Sequence, residues 1–98
     1  MNIELHEFQL AAERIAPIIH RTELEHSATF SAMTGGEIFL KCENRQKTGA
    51  FKLRGASNKI ASMVARGERC PVVASSAGNH AQGVAYAAKM FSIPATIV

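Results

Sequence analysis

Two stretches of the 98-residue chain gather residue types that could do chemistry. The first is Thr48-Gly49-Ala50-Phe51-Lys52-Leu53-Arg54-Gly55-Ala56, where one lysine stands among small residues and follows an aromatic one. Small neighbours let a bulky group approach the amine. A lysine attacks an aldehyde only as the neutral amine, a form favoured by nearby cations such as Arg54 or by the positive end of a helix. The plainer reading of the same residues is a solvated lysine at a helix start, where a cation is electrostatically least welcome. The second stretch, Ser75-Ser76-Ala77-Gly78-Asn79-His80-Ala81-Gln82-Gly83, is rich in small residues and side-chain donors. Free backbone N–H groups at a helix N-terminus bind anions, here a carboxylate or phosphate. Ser76 and Asn79 suit helix capping equally well, so both readings stand.

Both stretches need elements to hold them. Leu5, Phe8, Ala12, Ile15 and Ile19 recur at helical spacing, and Pro17 disfavours helix at Ala16, which predicts a first helix ending just before the proline. A polar stretch from Thr22 to Thr34 carries no periodic signal. After the Gly35-Gly36 turn, Ile38, Leu40 and Cys42 alternate with Phe39, Lys41 and Glu43, the pattern of a strand. A polar turn over Asn44 to Gly49 leads to Leu53, Ala56, Ile60, Met63 and Val64, again helical and ending near Gly67. Lys52 therefore falls in the first turn of a helix. The last third reads as a β-α-β unit: an apolar run Pro71 to Ala74, a loop, a helix to about Phe91, and a second apolar run Ala95 to Val98. In such units ligands collect where strands hand over to helix N-termini, and the Ser75 to His80 loop lies there. The chain stops on an apolar run with nothing to cover a parallel strand, so a fragment is expected.

Composition narrows the classes. The chain is 47% hydrophobic and 19% charged, enough for a modest globular unit. Its net charge of +3 comes from scattered residues, without a block of about five like charges, and its six aromatics do not interleave with the basic residues. No nucleic-acid partner is expected. No segment approaches about eighteen uninterrupted apolar residues, and the N-terminus has no apolar core of signal-peptide length, so neither a membrane nor export is expected. Cys42 and Cys70 fit neither a metal pair nor a C-x-x-C motif and read as two reduced, partly buried thiols, which suits the cytoplasm. His6, His20 and His26 lack zinc spacing, so no metal is expected. The phosphate-binding glycine patterns and the G-x-S-x-G or Ser-x-x-Lys nucleophile arrangements are absent.

At the two chemical stretches the sequence resembles the fold-type II enzymes dependent on pyridoxal phosphate (PLP), specifically the serine/threonine dehydratases (threonine ammonia-lyases). The resemblance rests on Ile15-Ala16-Pro17 with His20-Arg21-Thr22, on Lys41-Cys42-Glu43-Asn44 leading through Gln46 and Thr48-Gly49 to Phe51-Lys52-Leu53-Arg54-Gly55-Ala56, and on Ser76 to Gly83. It implies an α/β fold like the tryptophan synthase β chain, a parallel sheet with flanking helices, here incomplete. Residues 1–56 would open a large PLP domain and residues 57–98 would belong to a truncated small α/β domain. It implies that Lys52 holds the cofactor aldehyde covalently, that Phe51 packs beside the ring and that Asn79 hydrogen-bonds the ring hydroxyl. Ser76, Ala77, Gly78, Asn79 and His80 would hold the substrate carboxylate. Lys52, once freed by the substrate amine, would remove the α-proton, and loss of the β-hydroxyl would convert L-threonine or L-serine to 2-oxobutanoate or pyruvate plus ammonia. That activity belongs to amino-acid metabolism, isoleucine biosynthesis included.

There are departures from the family pattern. Glu23 and Ala50 stand where proline and serine are common, and Ala77 stands where related serine racemases tend to carry an acid/base serine, which favours dehydration. A glycine-rich phosphate loop and a partner for the pyridine nitrogen are expected beyond Val98, so the segment alone should be inactive. The full-length protein should be a homo-oligomer, dimer or tetramer, acting on a small amino-acid substrate. The alternatives are a serine racemase or another fold-type II enzyme, and a non-catalytic remnant that pairs with other chains through its unfinished sheet.

Overall fold

A computed structural model describes residues 2–98. Helix α1 (Leu5–Ile15) begins where the Glu4 N–H donates to the Glu7 carboxylate at 2.9 Å, and it ends at Ala16, before Pro17. Of the apolar face expected for it, Ile15 is buried, and Ile18 packs just beyond the helix end. Leu5 and Phe8 stay exposed, because nothing in the described residues packs against the outer turns.

The polar stretch that carried no periodic signal contains two elements. Strand β1 (Leu24–His26) pairs antiparallel with β2 (Phe39–Lys41), in the register Leu24 to Lys41 and His26 to Phe39. Between them lies α2 (Ala28–Thr34), capped by the Ser27 hydroxyl accepting from the Phe30 N–H at 3.2 Å and stopped by Gly35 at φ +73°. These elements are too short to show a period, and α2 buries no residue. The antiparallel pair is an addition to the parallel sheet that the sequence led us to expect.

Helix α3 (Lys52–Ala65) forms as its spacing predicts. It closes with a double C-terminal turn: the Glu68 N–H bonds the Met63 carbonyl and the Gly67 N–H bonds that of Val64, both at 2.9 Å. Gly67 supplies the positive φ, +78°, that this turn requires. The expected β-α-β unit follows as β3 (Val72–Ala74), α4 (Asn79–Met90) and β4 (Ala95–Ile97), with β3 and β4 parallel and Val72 opposite Ala95. The core lies where this unit meets α3: Ala56 and Ile60 pack with Ala74, Val84, Ala87, Ala88 and Ile93. Small residues on the facing sides of α3 and α4 let the two helices approach closely. One expectation fails on the surface: Cys42 is half-buried, but Cys70 is exposed, since it precedes β3 outside the core.

Candidate functional site

Lys52 is the first residue of α3, and a folded polar assembly sets that turn in place. Gly49 at φ +72° makes the bend before the helix, its N–H bonded to the Gln46 carbonyl at 2.8 Å. The buried Gln46 side chain clasps the backbone of His20 from both sides, donating to its carbonyl and accepting from its N–H, each at 2.8 Å. Arg54, two residues past the lysine, donates through Nε and Nη2 to the two oxygens of Glu43, each at 2.8 Å, and also to the Thr22 hydroxyl at 3.2 Å. Thr22 in turn donates to Glu43, and Lys41 donates to the Thr22 carbonyl. Residues 20–22, the 3-10 turn Glu43–Arg45 and the start of α3 thereby form one connected unit.

The electrostatics of this unit centre on Glu43. The Arg54 hydrogen bonds hold its carboxyl at about 2 against the usual 4.5, opposed by burial and helped by the Thr22 hydroxyl and Gln46. Glu43 raises the Arg54 guanidinium above its ordinary value in the same way. Arg54 is therefore not the free cation beside Lys52 that the sequence suggested. Residues two apart on a helix face different ways, and the guanidinium is committed to Glu43.

Lys52 itself is exposed, with Nζ 5.5 Å from the centroid of the equally exposed Phe51 ring. The amine opens on a cleft of about 370 Å³ lined by Phe51, Lys52, Arg54, Gly55, Ala56 and His80. That volume falls within the roughly 300–1,000 Å³ of small-molecule sites. An adjoining hollow of about 430 Å³ shares Gly55, Ala56 and His80 and adds Ser75 at the end of β3. A larger hollow of about 530 Å³ lies on the α1 side, but two of its cations, Lys41 and Arg54, are already engaged with Thr22 and Glu43.

The opposite wall is the start of α4. Asn79 and His80 are its first two residues, rather than the end of a loop, and Gly78 is the residue that precedes the helix. No side chain caps the turn, so the capping expected of Ser76 or Asn79 is not found. The Ser76 hydroxyl instead accepts from the Gly78 N–H at 3.2 Å within the loop, and the Ser76 N–H bonds the Val98 carbonyl at 3.1 Å. The first-turn amides of α4 are thus left to an external acceptor. Of the residues singled out in sequence, Phe51, Lys52 and His80 share one cleft. Ser76, Ala77 and Gly78, in the loop before α4, and Asn79, its first residue, do not line it.

Sequence reading gave no role to Glu43, Gln46, Thr22 or Gly83. A Cβ on Gly83 would meet the backbone carbon and oxygen of Lys52 at 3.2 Å and the Leu53 nitrogen at 3.3 Å. Glycine is what lets α4 lie directly against the residue that bears the amine. The presence of Gly83 in the second motif was the signal available.

The fold and site define an α/β segment that presents a lysine at a helix start, facing an uncapped helix N-terminus across a small cleft. The family model described as "Pyridoxal-phosphate dependent enzyme" matches residues 15–98. The chain belongs to this family, in its fold-type II class, whose cofactor is pyridoxal phosphate. It is 55% identical over 96 residues to an L-threonine ammonia-lyase of Thermotoga maritima, covering 98% of this chain and 24% of the relative. It is 47% identical over 93 residues to an L-threo-3-hydroxyaspartate ammonia-lyase of a Pseudomonas species, covering 95% of this chain and 29% of the relative. The structure of maize serine racemase superposes with a TM-score of 0.85 at 44% identity, covering 99% of this chain and 30% of that one. The chain thus spans about a quarter of the length of the curated relatives it matches.

The residues present fit the cofactor. The cleft offers a primary amine for its aldehyde, an aromatic ring beside that amine, and a helix start whose exposed Gly55 carries no side chain. Among the described residues no helix is long and apolar enough to cross a membrane.

Proposed function

We propose that this chain is the N-terminal part of a PLP-dependent ammonia-lyase acting on L-threonine and L-serine, with Lys52 as its cofactor lysine. The observation that carries the proposal is Lys52 opening the same cleft as His80, the second residue of α4. In this reading Lys52 holds the cofactor, Phe51 packs beside its ring and Asn79 hydrogen-bonds the ring hydroxyl. Ser76, Ala77, Gly78, Asn79 and His80 receive the substrate carboxylate, which takes up amides that no side chain caps. The bound cofactor supplies an electron sink. The Lys52 amine removes the substrate α-proton, and departure of the β-hydroxyl leads to 2-oxobutanoate or pyruvate with ammonia. The proposal places residues 1–56 in a large cofactor domain and 57–98 in a smaller one, within a cytoplasmic homo-oligomer.

The threonine reading is supported by the 55% identity to an L-threonine ammonia-lyase, and the lyase reading by Ala77, which offers no hydroxyl for a second proton transfer. The second reading is a serine racemase or a lyase for another 3-hydroxy amino acid, favoured by the 44% and 47% identities to such proteins. Assay of the full-length protein with L-threonine, L-serine and D-serine separates them. Ammonia release from L-threonine faster than any racemisation is expected; racemisation of serine faster than ammonia release would overturn the proposal.

A further inference from the structure

We propose that Gly55 is a clearance residue, glycine because the flat ring of the cofactor must lie against the first turns of α3. The inference rests on the reading of Lys52 as the cofactor lysine. Four small residues flank Lys52, and the protein itself accounts for three of them. Gly49 has a φ of +72°, while Ala50 and Ala56 are buried.

Gly55 differs from all three. It sits inside a helix, where glycine is less favourable than alanine, and its φ is not in the left-handed region. A Cβ built on it meets no atom within 4 Å. Neither backbone geometry nor packing among the described residues therefore calls for glycine here. It lines both the cleft at Lys52 and the hollow beside it. Residues three apart share a helix face, and helical Cβ atoms lean toward the N-terminus, so a side chain at 55 would project over the turn that carries Lys52. The missing methyl leaves open space in the cleft that Lys52 also lines, space that a planar heteroaromatic ring held by the amine would use. Gly83 is the contrast within the same site, since its added Cβ meets the Lys52 backbone at 3.2 Å.

The test uses the full-length protein, its Gly55→Ala variant and, as a control, Gly83→Ala. Thermal unfolding of the apoproteins and the PLP dissociation constant by equilibrium dialysis are the readouts, with borohydride labelling of the parent alongside. Gly55→Ala is expected to keep or raise the apo Tm by about 1–2 °C, as a glycine-to-alanine change inside a helix does. It is expected to weaken PLP binding by about tenfold or more through overlap with the ring. Gly83→Ala should instead lower the apo Tm. Weakening of less than about threefold in Gly55→Ala overturns the inference by showing a merely solvent-facing glycine. A marked fall in its apo Tm also overturns it, by showing that protein fills the space. Label away from Lys52 in the parent removes the underlying reading instead, so the two failures are distinct.

Discussion

The two helix starts that face each other across the cleft both lack a side-chain cap, but they are anchored to the fold in different ways. At α3 the first turn is tied down: Arg54 grips Glu43 through two hydrogen bonds, Thr22 joins them, and Gln46 fastens residue 20 to the turn before the helix. At α4 no such side-chain assembly holds the first turn, and a single hydroxyl, that of Ser76, orders the loop before it. The difference suits two kinds of ligand. A group bound covalently needs its amine held in one place, whereas a carboxylate that arrives and leaves needs unpaired donors. Gly83 joins the two by letting α4 touch the Lys52 backbone.

The contrast breaks most completely at the lysine. Under the proposed function, Lys52→Ala in the full-length protein should lower kcat by about 10³-fold or more, since the α-proton would lose its base. Steady-state ammonia release measures this. Next comes the clasp at α3. Glu43→Gln leaves the Arg54 charge partly buried without its carboxylate, at a cost of about 2 kcal/mol read by urea unfolding. The same group gives a pH signature. A carboxyl held at about 2 rather than 4.5 adds stability that is complete above pH 4.5 and is lost as the pH falls from 4.5 towards 2. The parent should lose stability through that window more steeply than Glu43→Gln. Gly83→Ala forces a shift of a few tenths of an ångström between the helices and should cost about 1–2 kcal/mol of stability. The smallest effect is expected on the open side. Ser76→Ala removes one exposed loop hydrogen bond and should change stability by less than about 1 kcal/mol, while raising the substrate KM.

The same contrast separates what could be read from sequence and what could not. The start of α3 at Lys52 and the β-α-β unit were legible because Leu53, Ala56, Ile60 and the apolar runs around β3 and β4 follow clear periods. The β1-α2-β2 excursion was not, because three-residue strands and a helix with no buried residue leave no period. Its ends did carry signals, Ser27 before α2 and Gly35 after it. The clasp was hidden for a different reason. Glu43, Arg54 and Thr22 come together only on folding, so Arg54 was read as a neighbour of Lys52 when its partner lies eleven residues upstream. The close approach of Gly83 to Lys52 is likewise a tertiary fact.

The central claim is tested most directly by borohydride reduction of the full-length, PLP-loaded protein followed by peptide mapping. The label should fall on Lys52, in the peptide that opens α3. A label on any other lysine, Lys47 or Lys59 included, contradicts the assignment of the cofactor to this helix start.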